Sequence, residues 1–104
     1  MKIAVDAMGG DFAPAEVVKG AVIVAREQSG VQIVLVGDET AISLTLRELG
    51  DIPSNISLKP TSQVIAMDEH PAQAVRKKRD SSLVVAGIMV QTGEADATFS
   101  AGNT

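Results

Sequence analysis

Apolar positions along the chain switch between short unbroken runs and repeats spaced three or four residues apart, and this switching predicts alternating strands and helices. Lys2-Ile3-Ala4-Val5 reads as a short buried strand. Ala7-Met8-Gly9-Gly10-Asp11 follows as a loop whose glycines permit a turn that residues with a Cβ resist. Pro14 suits the first turn of a helix, and Val17, Val18, Ala21, Val22 and Ala25 carry that helix to Gln28, with Gly30 placed to stop it. A second unit repeats the pattern: a strand over 32–36 ends in Gly37-Asp38, and Ile42, Leu44, Leu46 and Leu49 mark a helix closed by Gly50.

Pro53-Ser54-Asn55 breaks the chain before a third strand, Ile56 to Lys59, and a long loop runs from Pro60 to His70. Pro71 opens a short helix through Arg79. Ser81 or Ser82 caps another through Thr92, and Ala97-Thr98-Phe99-Ser100 is a fourth strand. Strands that alternate with helices predict an α/β fold with a mainly parallel sheet covered by helices on both faces, and right-handed crossovers make the local strand order 3-2-1-4. In that order the crossovers from strands 1 and 4 leave in opposite directions, so a crevice opens at their carboxyl ends. Met8-Gly9-Gly10-Asp11 and Ala101-Gly102-Asn103-Thr104 come to that crevice from opposite ends of the sequence.

Composition narrows the picture. The 104 residues are 45% hydrophobic but only 2% aromatic, so one modest core must be filled by Val, Ile, Leu, Ala and Met. Without Cys there is no disulfide, thiolate nucleophile or thiolate metal site. Ile3-Ala4-Val5 before Asp6 is too short for the apolar part of a secretory signal, which makes a cytoplasmic location the expectation. The apolar run from Leu83 to Val90 falls well short of the ~20 residues of a membrane span. A net charge of −4 argues against general affinity for nucleic acid.

The chemistry-bearing residues cluster in the two loops. A loop leaving a strand toward a helix points backbone N–H groups outward, and Ser100 to Thr104 can hold an anion in this way. Ser100, Asn103 and Thr104 would add neutral donors; a plain turn capped by Asn or Thr is the alternative. Gly9 and Gly10 allow close approach to a ligand, or simply make a strand-to-helix turn with Asp11 as capping group. Asp6 and Asp11 would repel an anion directly and are better suited to orient donors or a cation. For Asp6 the alternative is a carboxylate met by backbone N–H groups. His70 is the one imidazole, but beside Pro71 it reads as a surface or capping residue. Arg76-Lys77-Lys78-Arg79 is a basic cluster that can steer an acidic partner or form a solvated helix face. Asp38 can bind a ribose hydroxyl, but reads better as a turn carboxylate.

Taken together, Ile3 to Asp11, Leu35-Val36-Gly37-Asp38, Ala74-Val75-Arg76 with its basic continuation, Ser81-Ser82 and Ser100 to Thr104 resemble the PlsX family of phosphate acyltransferases over the whole chain. Asp-Ala-Met-Gly-Gly-Asp at the start and Ser-Ala-Gly-Asn-Thr at the end are specific in combination. The resemblance implies a three-layer α/β/α Rossmann-like fold of the phosphotransacetylase and isocitrate-isopropylmalate dehydrogenase-like kind. Residues 1–104 would be the amino-terminal part of a single acyltransferase domain, in homodimers roughly three times this length. It implies transfer of a long-chain acyl group from acyl-carrier protein to inorganic phosphate for phospholipid biosynthesis, with a membrane glycerol-3-phosphate acyltransferase downstream and no metal or redox cofactor.

On that reading Asn103 and Ser100 are the candidate catalytic residues. Gly9, Gly10, Asp11, Asp6, Ala101, Gly102 and Thr104 are candidates for the phosphate site, and Arg76, Lys77, Lys78 and Arg79 for docking the acidic carrier. Membrane association, where it occurs, would come from regions or partners outside these residues, and the 104-residue segment alone would be inactive. Three rivals stay open: a phosphate acetyl- or butyryltransferase acting on acyl-coenzyme A, a dinucleotide-binding dehydrogenase, and a non-catalytic module for the carrier protein or phosphate. Gly9-Gly10 lacks the Gly-x-Gly-x-x-Gly spacing that the dehydrogenase needs.

Overall fold

A computed structural model describes residues 1–62 and 80–101. In it the apolar runs become strands β1 (Lys2–Asp6), β2 (Gln32–Gly37), β3 (Ile56–Pro60) and β4 (Ala97–Phe99), and the helical repeats become α1 (Ala15–Glu27), α2 (Glu39–Leu49) and α3 (Ser82–Gln91). All neighbouring strands pair in parallel, in the expected order β3-β2-β1-β4. The register sets Val5 against Leu35 on one side and against Phe99 on the other. The short helix expected over 71–79 lies outside the described residues.

Period-two alternation along β1 and β2 decides which layer each residue joins. Val5, Ile33 and Leu35 face α1 and α2, where Val18, Ala21, Val22, Ala25 and Ile42 complete one core. Ala4, Val34 and Val36 face the other way, onto Ala86 and Met89 of α3 and onto Ala95. Two central strands covered on both faces explain the nearly continuous apolar sequence of each. The core is built from aliphatic residues and Met89, as the composition requires; both phenylalanines, Phe12 and Phe99, are exposed. Each fully buried side chain, such as Leu35 or Ile42, contributes about 1.5–3 kcal/mol relative to an exposed one. Pro60 falls at the end of the edge strand β3, where its missing N–H costs the ladder least.

The helix ends follow the sequence with two corrections. Asp38 caps α2 by accepting from the Ala41 N–H at 3.0 Å, and Gly50 closes it at φ +84°. Ser81 caps α3 and accepts from the Val84 N–H at 3.3 Å. Asp11, however, does not cap α1. That helix begins four residues later, at Ala15, and its N-cap position is Pro14, with no side-chain cap. Nor does Gly30 end α1 by adopting a left-handed conformation, since the positive-φ glycines are Gly10, Gly50 and Gly93. The terminal carbonyls are met from outside: the Asn55 amide donates to Ala25 O at 2.9 Å, Gln28 O at 3.3 Å and Val31 O at 2.8 Å.

Asn55→Ala should therefore cost about 1–3 kcal/mol, the usual loss when buried acceptors are left unmet. Gly30→Ala, with open space around its Cβ position, should cost nothing measurable. Urea denaturation of the two variants beside the wild type checks the contrast.

Candidate functional site

The carboxyl ends of β1 and β4 bring the first and last loops together. Gly10 has a φ of +93°, and a Cβ placed on it would lie 3.5 Å from both the Cβ and the carbonyl oxygen of Ala101. A side chain here would be strained by the backbone conformation, while its Cβ would make ordinary contact with the facing loop. Gly10 and Ala101, 91 positions apart in sequence, thus form one wall.

The first loop is fixed from beneath. The Ala7 N–H donates to Val36 O at 2.9 Å, so the chain continues along β2 for one residue beyond the strand. The Met8 N–H donates to Asp6 Oδ1 at 3.1 Å. The Met8 side chain packs over Gly37 so closely that a Cβ there would sit 2.7 Å from Met8 Cγ and 3.1 Å from Ile42 Cδ1. Gly37 is needed for this contact, a role that nothing in the local sequence around it discloses.

Asp6 is the hub of the site. It is only 3% exposed, and both carboxylate oxygens are engaged. Oδ2 accepts from the Ser100 hydroxyl at 2.7 Å, while Oδ1 accepts from the Ser82 hydroxyl as well as from Met8 N–H. Of the two expectations for Asp6, the one in which it orients donors describes most of this arrangement, and one backbone N–H joins in. Ser82 is the residue that sequence reading missed: it is 2% exposed, next to the capping Ser81, and a cap was the only role its position suggested.

The other candidates separate. Gly9 is buried beside Asp6 and its N–H reaches Asp6 O at 3.5 Å, whereas Asp11 is exposed. Gly102, Asn103 and Thr104, like Arg76, Lys77, Lys78, Arg79 and His70, lie outside the described residues. Among the described residues no three His, Cys, Asp or Glu side chains converge on a point that could hold a metal. No helix among them is long and apolar enough to cross a membrane.

On the α1 side of the sheet an apolar groove of about 520 Å³ lies between the helix and the strands and reaches Ala101. Val5, Val17, Ala21, Val24 and Phe99 line it, and Gly20 leaves room along its wall. That volume is within the roughly 300–1,000 Å³ of small-molecule sites.

A parallel α/β sheet in which Gly10 of the first loop meets Ala101 at the topological switch point is an architecture in which ligands commonly bind at the strand ends. Comparison with known sequences narrows the class. The sequence model of the fatty acid synthesis protein family matches residues 1–104, and the chain belongs to that family. Its relatives include the phosphate acyltransferases of Desulfitobacterium hafniense strain DSM 10664 / DCB-2, 54% identical over 104 residues, and Brevibacillus brevis, 51% identical over 104 residues. The match to that of Myxococcus xanthus is 47% over 104 residues. In each case all of this chain is covered, with 30%, 30% and 29% of the respective relative, so the chain spans about a third of the length of the curated relatives it matches.

A second polar contact lies at the other edge of the sheet. The Ser62 hydroxyl and the Ser62 N–H, the latter at 2.9 Å, both donate to Asp80 Oδ2. These bonds, the hydroxyl's first, hold the Asp80 carboxyl below its ordinary value of 3.8. Because the folded value is the lower one, the linked stability is fully present above pH 3.8 and is lost as pH falls through the folded value. An NMR titration of the Asp80 carboxyl carbon should show a midpoint below 3.8 that rises toward it in Ser62→Ala.

Proposed function

We propose that the full-length protein transfers a long-chain fatty acyl group from acyl-carrier protein to inorganic phosphate, giving acyl-phosphate for phospholipid biosynthesis. The observation that carries this reading is the apposition of Gly10 and Ala101 over the Asp6–Ser100 hydrogen bond, in a chain whose relatives are named phosphate acyltransferases. Phosphate sits at the loop of Ser100 to Thr104, held by backbone N–H groups and neutral side chains. One of its oxygens attacks the thioester carbonyl, the new C–O bond gives a tetrahedral oxyanion, and collapse breaks the C–S bond to release the pantetheine thiolate.

Phosphate supplies the nucleophile, so the protein contributes position and electrostatic stabilisation. Asn103 is the proposed donor to the oxyanion, and Gly9 and Gly10 leave room for the reacting centre. The acyl chain lies along the groove that reaches Ala101, whose apolar lining favours a long chain over the acetyl or butyryl group of the coenzyme A rival. The basic residues Arg76 to Arg79 meet the acidic carrier protein, and the enzyme works in the cytoplasm as a homodimer. The acyl-phosphate passes to a membrane glycerol-3-phosphate acyltransferase. Neither metal nor redox cofactor takes part in the proposed step, and the 104 residues alone are inactive.

The test is acyl-phosphate formation from palmitoyl-carrier protein and phosphate, with palmitoyl-coenzyme A as competing donor. Full-length wild type should turn over the carrier-bound donor, and Asn103→Ala should lower kcat by about 10²–10³-fold, the usual cost of one oxyanion donor. Preference for the coenzyme A donor would overturn the carrier assignment. Gly20→Leu separately probes the groove. Its added side chain meets nothing within 4 Å at Cβ and suits a helix, so the fold should hold while the preferred acyl chain becomes shorter.

A further inference from the structure

The first loop is located by a contact between a side chain and a glycine. Met8 is half-buried and lies over Gly37, where a Cβ would meet Met8 Cγ at 2.7 Å, Met8 Sδ at 3.0 Å and Ile42 Cδ1 at 3.1 Å. Two of the three partners are held in place. Gly37 is buried at the last position of β2, and its carbonyl accepts from the Thr61 N–H at 2.8 Å. Ile42 is fully buried in the core that α2 covers. Met8 is the partner with freedom, yet its backbone is tied on the other side: its N–H donates to Asp6 Oδ1 at 3.1 Å, and the Ala7 N–H donates to Val36 O at 2.9 Å. The seat on Gly37 therefore fixes the residue that precedes Gly9 and Gly10, and Gly10 carries that position across to Ala101.

We propose that Met8, seated on Gly37, is a positioning residue for the transfer reaction and sets where Gly9 and Gly10 stand at the reacting centre. This rests on the reading that the first loop borders that centre. A methionine is flexible and fixes little on its own; here the bare floor at Gly37 and the wall at Ile42 hold it. Met8 Cγ is placed by one torsion with three staggered choices, so a Cβ at position 37 leaves two responses. The side chain quits its seat for another rotamer, or the loop backbone recedes by several tenths of an ångström to restore ordinary contact. Either response loosens or moves the two glycines. Reacting groups misplaced by about an ångström lose about 10²-fold in rate, so a change of this size is read in the chemical step. The thioether itself does no chemistry: β2 and α2 act through Met8, and Met8 acts through the backbone of the loop.

The test is a cycle of Gly37→Ala, Met8→Ala and the double variant in the full-length protein, read by the kinetics of acyl-phosphate formation and by the amide resonances of Gly9 and Gly10. Each single variant should lower kcat by about 10–10²-fold, with KM for phosphate changed by less than about threefold, the signature of a loss felt in the transition state. In the double variant the new Cβ at position 37 takes space that Met8 Cγ and Sδ leave. Its kcat should lie above that of both single variants, and the glycine resonances should return toward their wild-type positions. Asn55→Ala acts from the opposite end of the sheet and should lower stability with kcat and these resonances unchanged, so lost stability alone does not reproduce the pattern. Wild-type kcat in either single variant, or a loss that the double variant does not relieve, overturns the proposal and leaves the function standing. Should Gly37→Ala fail to fold, Met8→Ala alone decides by the same two readouts. No turnover by wild type overturns the functional reading, and the glycine resonances then still decide whether Met8 sets the loop.

Discussion

A buried carboxylate at the end of the first strand is the constraint around which the ligand end of this molecule is arranged. Removing a charged group from water is expensive unless hydrogen bonds replace the lost hydration. Asp6 meets that condition with three donors drawn from three places: the next loop, the start of α3 and the end of β4. Each donor left out would cost about 1–3 kcal/mol or more. The three elements are thus held to one point although residues 6, 82 and 100 are remote in sequence. Adjacent serines divide the work at α3, with Ser81 bonded to its own helix and Ser82 bonded across the sheet. The Ser100–Asp6 bond ties down β4, which has only three residues and pairs with β1 through Ile3, Ala4 and Val5.

The arrangement also bears on the proposed anion site, behind which a carboxylate stands. Two unit charges 4 Å apart repel by about 4 kcal/mol at an effective dielectric constant near 20, a penalty that would cancel much of what backbone donors supply. Here the Asp6 charge faces inward against donors, and the Ser100 hydroxyl stands between it and the loop. Gly10 contributes through its positive φ, a conformation that side-chain-bearing residues rarely adopt and that brings the first loop to Ala101.

Much of this architecture was legible in the sequence, for an identifiable reason. Strand and helix periods are local signals, and right-handed crossovers turn their order into a topology, so the parallel sheet, its 3-2-1-4 order and the meeting of the two glycine loops could be read from the pattern. Helix ends governed by adjacent residues could be read too, as at Gly50 and Ser81, whereas Asp38, read as a turn carboxylate, is the cap of α2. What escaped are contacts made across the fold. Asn55 completes the end of α1 from a loop 24 to 30 residues away, and Ser82 reaches Asp6 across 76. Asp11 misled because a carboxylate near a helix start is the usual cap, while here the turn through Pro14 delays the helix beyond its reach. The pattern brought the first loop and the end of β4 to one place; the bonds that join them there could not be read from it.

Alternation along a strand finally explains how one short stretch serves both a polar loop and an apolar groove. Successive side chains of a strand point to opposite faces. Val5 therefore turns toward α1 and the groove, and Asp6 turns toward α3 and its serine partners. The parallel register sets Phe99 beside Val5, and Phe99 likewise lines the groove while the next residue, Ser100, bonds to Asp6. Two neighbouring strands thus repeat the same apolar-then-polar step at the same height in the sheet. The fold thus places the change of chemistry at the strand ends, with Ala101 and Gly10 at the junction. Shifting β1 by one residue would exchange its faces and turn the Asp6 carboxylate into the groove, and the same slip in β4 would turn a hydroxyl there, so the register that builds the core also sets this boundary.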